Sequence, residues 1–163
     1  MSNPPTMKSY FNQSLGVSIL MPESWEVQQL QPNQFQIIAP AVSQFDGYCP
    51  QISYTRKIPQ INSPHWFEET IRKSEATQRQ VYPDYHPLKE ERFWVGEHRA
   101  YLRQVQWCYE GTDIYLVNFQ GLILAEEIAA YIIKAETLKE FAETDMPIFE
   151  AIAKSTRIIP PQN

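Results

Sequence analysis

Glycine is scarce and scattered. The five glycines stand singly, without GxGxxG or GxxxxGK[ST], so no glycine-rich phosphate loop is encoded. Cysteine is scarcer. Cys49 and Cys108 are the two in the chain, far apart and outside any CxxC or metal-type spacing. Two buried free thiols in a reducing compartment are the expectation. His65, His86 and His98 form neither HExxH nor another ligand spacing. GxSxG is absent. DGYCP gives Cys49 no cationic neighbour that would activate its thiol. The expectation is a chain with no catalytic residue, no metal and no cofactor.

Charge of one sign and long apolar runs are missing too. The net charge is −5, and no basic stripe or polybasic patch offers itself to nucleic acid or an anionic membrane. No run reaches the ~18 apolar residues of a membrane span. The opening MSNPPTMKSYFNQ is polar and has no apolar stretch of a secretory signal, so a cytoplasmic location is expected.

What is present is an ordinary globular composition rich in aromatics, over 163 residues, about one domain. Residues 1–9 read as a flexible N-terminus, 10–158 as a single domain and 159–163 as a flexible C-terminus. Val17, Ile19 and Met21 alternate with Ser18 and Leu20, a strand closed by Pro22. Trp25 and Val27 restart the alternation. QFQIIAP (34–40) and QISYTRK (51–57) are further strands, separated by a loop with the turn dipeptide Asp46-Gly47.

SPHWFEETIRKSEATQRQV (63–81) reads as a helix. Ser63 would cap it and Pro64 would occupy its first position. Glu68–Arg72 and Glu69–Lys73 are spaced i,i+4, and Phe67, Ile71, Ser74 and Val81 share a face. Two prolines make 81–92 an extended linker. Strands then follow at 98–109 and 114–124 around the turn EGTD.

GLILAEEIAAYIIKAET (121–137) is ambiguous on propensity alone, since good helix formers mix with Ile and Tyr. A growing meander favours strand–turn–strand. Ala130, Ile132, Lys134 and Glu136 then fall on one face, with Tyr131, Ile133 and Ala135 on the other. The adjacent Glu126 and Glu127 become a solvated hairpin tip, since strand neighbours point to opposite faces and cannot work as an acid–base pair. The tail, 138–158, reads as a helix or two helical turns, capped by Thr144 or Asp145 with Pro147 near its start. Phe149, Ile152 and Ala153 form its stripe, and Glu150–Lys154 is an ion pair. The class is α+β, helices packed on an antiparallel sheet.

This order, with the phrases GVSILMPESW after Phe11, SPHWFEETIRK, and AAYIIKAET…MPIFEAIAKSTRI, resembles the Mog/PsbP-like superfamily of small α/β/α proteins. Ser155-Thr156-Arg157 stands where that family closes with a Ser-Phe-Arg-like end. The resemblance implies a central antiparallel sheet flanked by helices, an α/β/α sandwich, and a non-enzymatic accessory or adaptor role. One group in the family binds a small nuclear GTPase, another assists the oxygen-evolving side of a photosystem, and many bacterial members have no assigned role. With no signal or lipoprotein cysteine, the bacterial group is the nearest.

A contact surface is the candidate site. VYPDYHPLKEERFW (81–94) is aromatic and proline-punctuated, and Tyr82, Tyr85, His86 and Trp94 could anchor a protein partner. Alternatively these rings cover one end of the sheet. A flat aromatic patch would suit a binding module with a protein partner, or a homodimer as a special case. A deep pocket between the 63–81 helix and the sheet, with converging polar groups, would instead suit a small-ligand-binding protein or a weak hydrolase.

Overall fold

The structure is a computed structural model that describes residues 5–41, 49–61, 63–126 and 128–160. The order is β1 (Met7–Asn12), β2 (Val17–Pro22), β3 (Glu26–Gln31), β4 (Gln34–Ile38), β5 (Gln51–Lys57), α1 (Trp66–Val81), β6 (His86–Val95), β7 (His98–Cys108), β8 (Tyr115–Ala125), β9 (Ala129–Leu138), α2 (Ala142–Ser155) and β10 (Arg157–Ile158). A large antiparallel sheet runs β3-β4-β5-β9-β8-β7-β6, and a small one runs β1-β2-β10. Strand makes up 50% and helix 22%, so the α+β architecture is sheet-dominant rather than the helix-flanked sandwich expected.

The ambiguous 121–137 stretch is strand–turn–strand. Leu122 pairs Ile132 and Ile123 pairs Tyr131 in the β8–β9 hairpin, and Tyr131, Ile133 and Ala135 enter the main core. That core lies on one face of the large sheet. There Phe35, Tyr54 and Phe119 meet Val17, Ile19 and Met21 of β2 and Phe149 and Ile152 of α2. Phe35 stacks on Tyr54 at 5.0 Å, and Trp25 meets Phe149 edge-on at 6.1 Å. α1 lies on the opposite face, where Phe67 and Ile71 pack on Tyr101, Leu122, Leu124 and Ala130.

Several boundaries differ from expectation. β1 begins at Met7, inside the N-terminus expected to fray, because Met7 pairs Pro22. At the other end Ile159 N donates to the Gly16 carbonyl at 2.7 Å. The 81–92 linker is mostly β6, an edge strand. Pro87 sits at its register irregularity, the kind of edge-strand position where proline is tolerated, and Lys89, Glu90, Glu91 and Arg92 blunt the edge.

The first turns of both helices also differ. His65 is the N-cap residue of α1, with Ser63 Oγ accepting its N–H at 3.1 Å. Val81 is exposed, and Gln78 takes its place on the buried face. Glu68 pairs with Arg92 at 2.7 Å, because the guanidinium of the edge strand reaches it in a bidentate geometry. α2 starts at Ala142, so Pro147 lies inside the helix. Asp145 does not cap it. Its buried carboxylate accepts the Thr137 hydroxyl at 2.6 Å. The Glu150–Lys154 pair forms, at 3.0 Å. Both cysteines are free and half-buried rather than buried. The Asp46-Gly47 turn and Glu127 lie outside the described residues.

Candidate functional site

The two faces of the large sheet are chemically unlike. On the α1 side, register partners form one polar rung across all seven strands: Gln28, Gln36, Ser53, Lys134, Gln120, Arg103 and Glu90. α1 covers only part of this face. Its apolar first half packs on β7–β9, whereas its second half meets the sheet through polar groups.

Arg103 is the centre of that polar contact. It is 3% exposed, and among the described residues its guanidinium donates only to neutral oxygens. These are Gln78 Oε1 at 3.0 Å, Ser74 Oγ at 2.9 Å, Gln120 Oε1 at 2.9 Å, the Tyr101 hydroxyl at 3.3 Å and the Ile71 carbonyl at 3.5 Å. The first carboxylate is one relay away, where the Tyr101 hydroxyl donates to Glu90 at 3.0 Å. Burial pushes the Tyr101 phenol up to about 12, against the pull of Arg103.

Two depressions open beside this network. One, of about 450 Å³, lies between α1 and β8–β9. The other, of about 330 Å³, lies over β4, β5 and β9. They share Tyr82, Asn118 and Lys134 as a common wall. Glu136 lines the smaller one, held by Trp107 Nε1 at 3.0 Å and Asn118 Nδ2 at 3.5 Å. Tyr82 stacks on Trp107 at 4.6 Å. Burial raises the Tyr82 phenol above its ordinary value, and the Glu136 charge adds to that.

The four residues expected to form one aromatic patch are divided. Tyr82 closes α1 and walls both depressions. Tyr85 carries Arg79 over its ring at 4.7 Å, and its hydroxyl is buried without a hydrogen-bond partner among the described residues. His86 is exposed, 3.0 Å from the Asp84 carboxylate. Trp94, 65% exposed, sits at the far end of β6, about 26 Å from His86 at the strand rise of ~3.3 Å per residue. Glu126 sits at the β8–β9 turn and pairs with Arg99 at 3.1 Å. Among the described residues no three His, Cys, Asp or Glu side chains converge on a metal-sized site, and no helix is long and apolar enough to cross a membrane.

Arg103, Gln120 and Lys134 were not expected as site residues. The available signal was phase: Arg103 shares strand parity with the buried Tyr101 and Val105, so a strand there carries a cation inward.

No protein-family model matches the sequence, and no curated protein matches it. Solved structures do. A Pseudomonas aeruginosa protein of unknown function superposes with TM-score 0.64 at 18% identity, covering 96% of this chain and 99% of that one. The Saccharomyces cerevisiae Ran-binding protein Mog1 gives 0.67 at 9% identity, covering 96% and 97%. PsbP from the cyanobacterium Synechocystis gives 0.60 at 10% identity, covering 96% and 94%. The chain has the Mog/PsbP-like fold.

Proposed function

We propose that this chain is a non-catalytic binding protein that holds a protein partner on the open half of the α1-side face, over β4, β5 and β9 beside Tyr82. The observation that carries this reading is that α1 leaves half of a polar seven-strand face uncovered. Gln34, Gln36, Gln51 and Ser53 line its depression. Amide and hydroxyl side chains both donate and accept, so they suit a polypeptide segment with its own amides. Leu30, 42% exposed, and the Tyr82 ring supply apolar contact at the rim, where aromatic anchors concentrate binding energy. The name of the yeast neighbour, a Ran-binding protein, makes a protein partner a natural occupant for this fold. Two half-buried free thiols suit the reducing cytoplasm, and the reading calls for no cofactor.

A photo-crosslinking residue at Ser53, in extract of the source organism, tests it. The expected result is a cross-linked protein that is lost in Gln36→Arg and Tyr82→Ala but retained in Trp94→Ala. Cross-linking that is lost in Trp94→Ala and indifferent to Gln36→Arg would move the surface to β6 and overturn this one. A species of twice the chain mass would identify the partner as a second copy, at the same face.

A further inference from the structure

We propose that the cavity between the second half of α1 and strands β8–β9 binds a small anion of the carboxylate or phosphate class. The cavity shares Tyr82, Asn118 and Lys134 with the protein-partner face beside it, but the inference does not rest on that reading. The cavity volume, about 450 Å³, falls in the ~300–1,000 Å³ range of small-ligand sites. Lys73 and Lys134 are in its lining, and among the described residues no carboxylate is. In a chain of net charge −5, such a lining is a local reversal of sign.

Arg103 sets the chemistry from behind. A guanidinium only donates, so Gln78 and Gln120 must turn their amide oxygens toward it, which settles the choice of amide orientation on physical grounds. Gln120 Oε1 takes hydrogen bonds from Arg103, from Gln78 Nε2 at 2.7 Å and from Ser74 Oγ at 3.2 Å. The oxygen is saturated, which leaves the Gln120 Nε2 hydrogens as donors beside its cross-strand neighbour Lys134. The cavity therefore offers an amide NH2 and two ammonium groups, backed by a buried cation whose direct partners are all neutral. Anion oxygens complement that set. Glu136 belongs to the neighbouring depression and not to this cavity, and Trp107 and Asn118 already hold its carboxylate.

The test is NMR titration of the full chain with sodium phosphate and, separately, sodium succinate, at ionic strength matched with sodium chloride. The expected result is a saturable shift of the Gln120 side-chain amide with at least one probe, and about tenfold weaker binding in Lys134→Met. Lys57→Met, at the end of β5 away from the cavity lining, should bind as the unaltered chain does. Response to phosphate alone or succinate alone assigns the anion class, and response to both assigns the shared chemistry. A Gln120 amide that moves no more with either probe than with chloride overturns the proposal. So does a Lys134→Met variant that binds with undiminished affinity. Lys134 is exposed, so this variant is expected to keep the fold, and its amide spectrum shows directly that it has done so.

Discussion

Thr137 donates its hydroxyl to Asp145 across 2.6 Å, joining the end of β9 to the first turns of α2 with both side chains buried. Burial raises the Asp145 carboxyl above its ordinary 3.8, and the Thr137 hydrogen bond offsets part of that. The folded carboxyl thus holds its proton more tightly than the unfolded one. The folded state binds more protons in the window above the unfolded value, so this group's contribution falls as pH rises through that window. Asp145→Asn keeps an acceptor for Thr137 and removes the titration. Relative to the unaltered chain, the variant should gain stability as pH rises above about 4, read from urea midpoints. An offset constant across that range would refute the assignment.

Gly16 has φ +68°, and a Cβ there would lie 2.8 Å from the Ile159 carbonyl oxygen. That neighbour is backbone, held by the Ile159 N–H bond to the Gly16 carbonyl. Gly16→Ala combines left-handed strain with displacement of the closing segment, a cost of about 1–3 kcal/mol. Denaturant unfolding measures it, and amide exchange at Ile159 should accelerate. A change within about 0.5 kcal/mol would show that the end of the chain yields freely.

Most strands were legible because one face of each is buried. The period-two signal is plain in Val17, Ile19 and Met21, in Ile52 and Tyr54, and in Tyr131, Ile133 and Ala135. β6 was hidden for a physical reason. An edge strand of charged residues and proline satisfies few local strand preferences, and its existence depends on the ladder that β7 offers. The start of α2 was misplaced because Asp145 has cap chemistry but is used in a tertiary contact. Of the candidate site, Tyr82 stood out in the sequence as an aromatic just after the helix, and the structure places it on the wall of both depressions. The Arg103–Gln120–Lys134 rung did not, because it exists only once three strands are in register.

Arg103 is expected to be hard to replace even conservatively. Lysine has three donors where the guanidinium has five, so Arg103→Lys leaves some of the oxygens of Gln78, Ser74, Gln120, Tyr101 and Ile71 without a donor. At roughly 1 kcal/mol for each lost neutral hydrogen bond, the loss should be about 2 kcal/mol. Trp94→Ala, at a largely exposed position, should stay within about 0.5 kcal/mol. Guanidinium denaturation of the two variants side by side compares them. Equal losses would mean that the polar contact under α1 does not hold the helix to the sheet.

Tyr54 and Thr156 tie the large sheet to the end of α2. The Tyr54 ring stacks on Phe35, its hydroxyl lies 2.7 Å from Thr156 Oγ1, and both side chains are fully buried. Burial holds the phenol above its ordinary 10.0 against the smaller pull of the Thr156 hydrogen bond. Tyr54→Phe keeps the ring and the stack and removes the hydroxyl, for an expected loss of about 1–2 kcal/mol near neutral pH. Thr156→Val removes the other partner. If the hydrogen bond accounts for most of both losses, the double variant should lose about 1 kcal/mol less than the sum of the singles. Additive losses would mean that each hydroxyl is held by its separate contact to the Ile152 carbonyl, 3.4 Å from both. Alkaline pH gives a second reading of the same pair. A phenol raised in the folded state is more protonated there than in the unfolded chain, so its contribution is lost as pH rises above about 10. Tyr54→Phe should therefore flatten part of the alkaline fall in stability, and an unchanged slope would assign that fall to the other raised phenols.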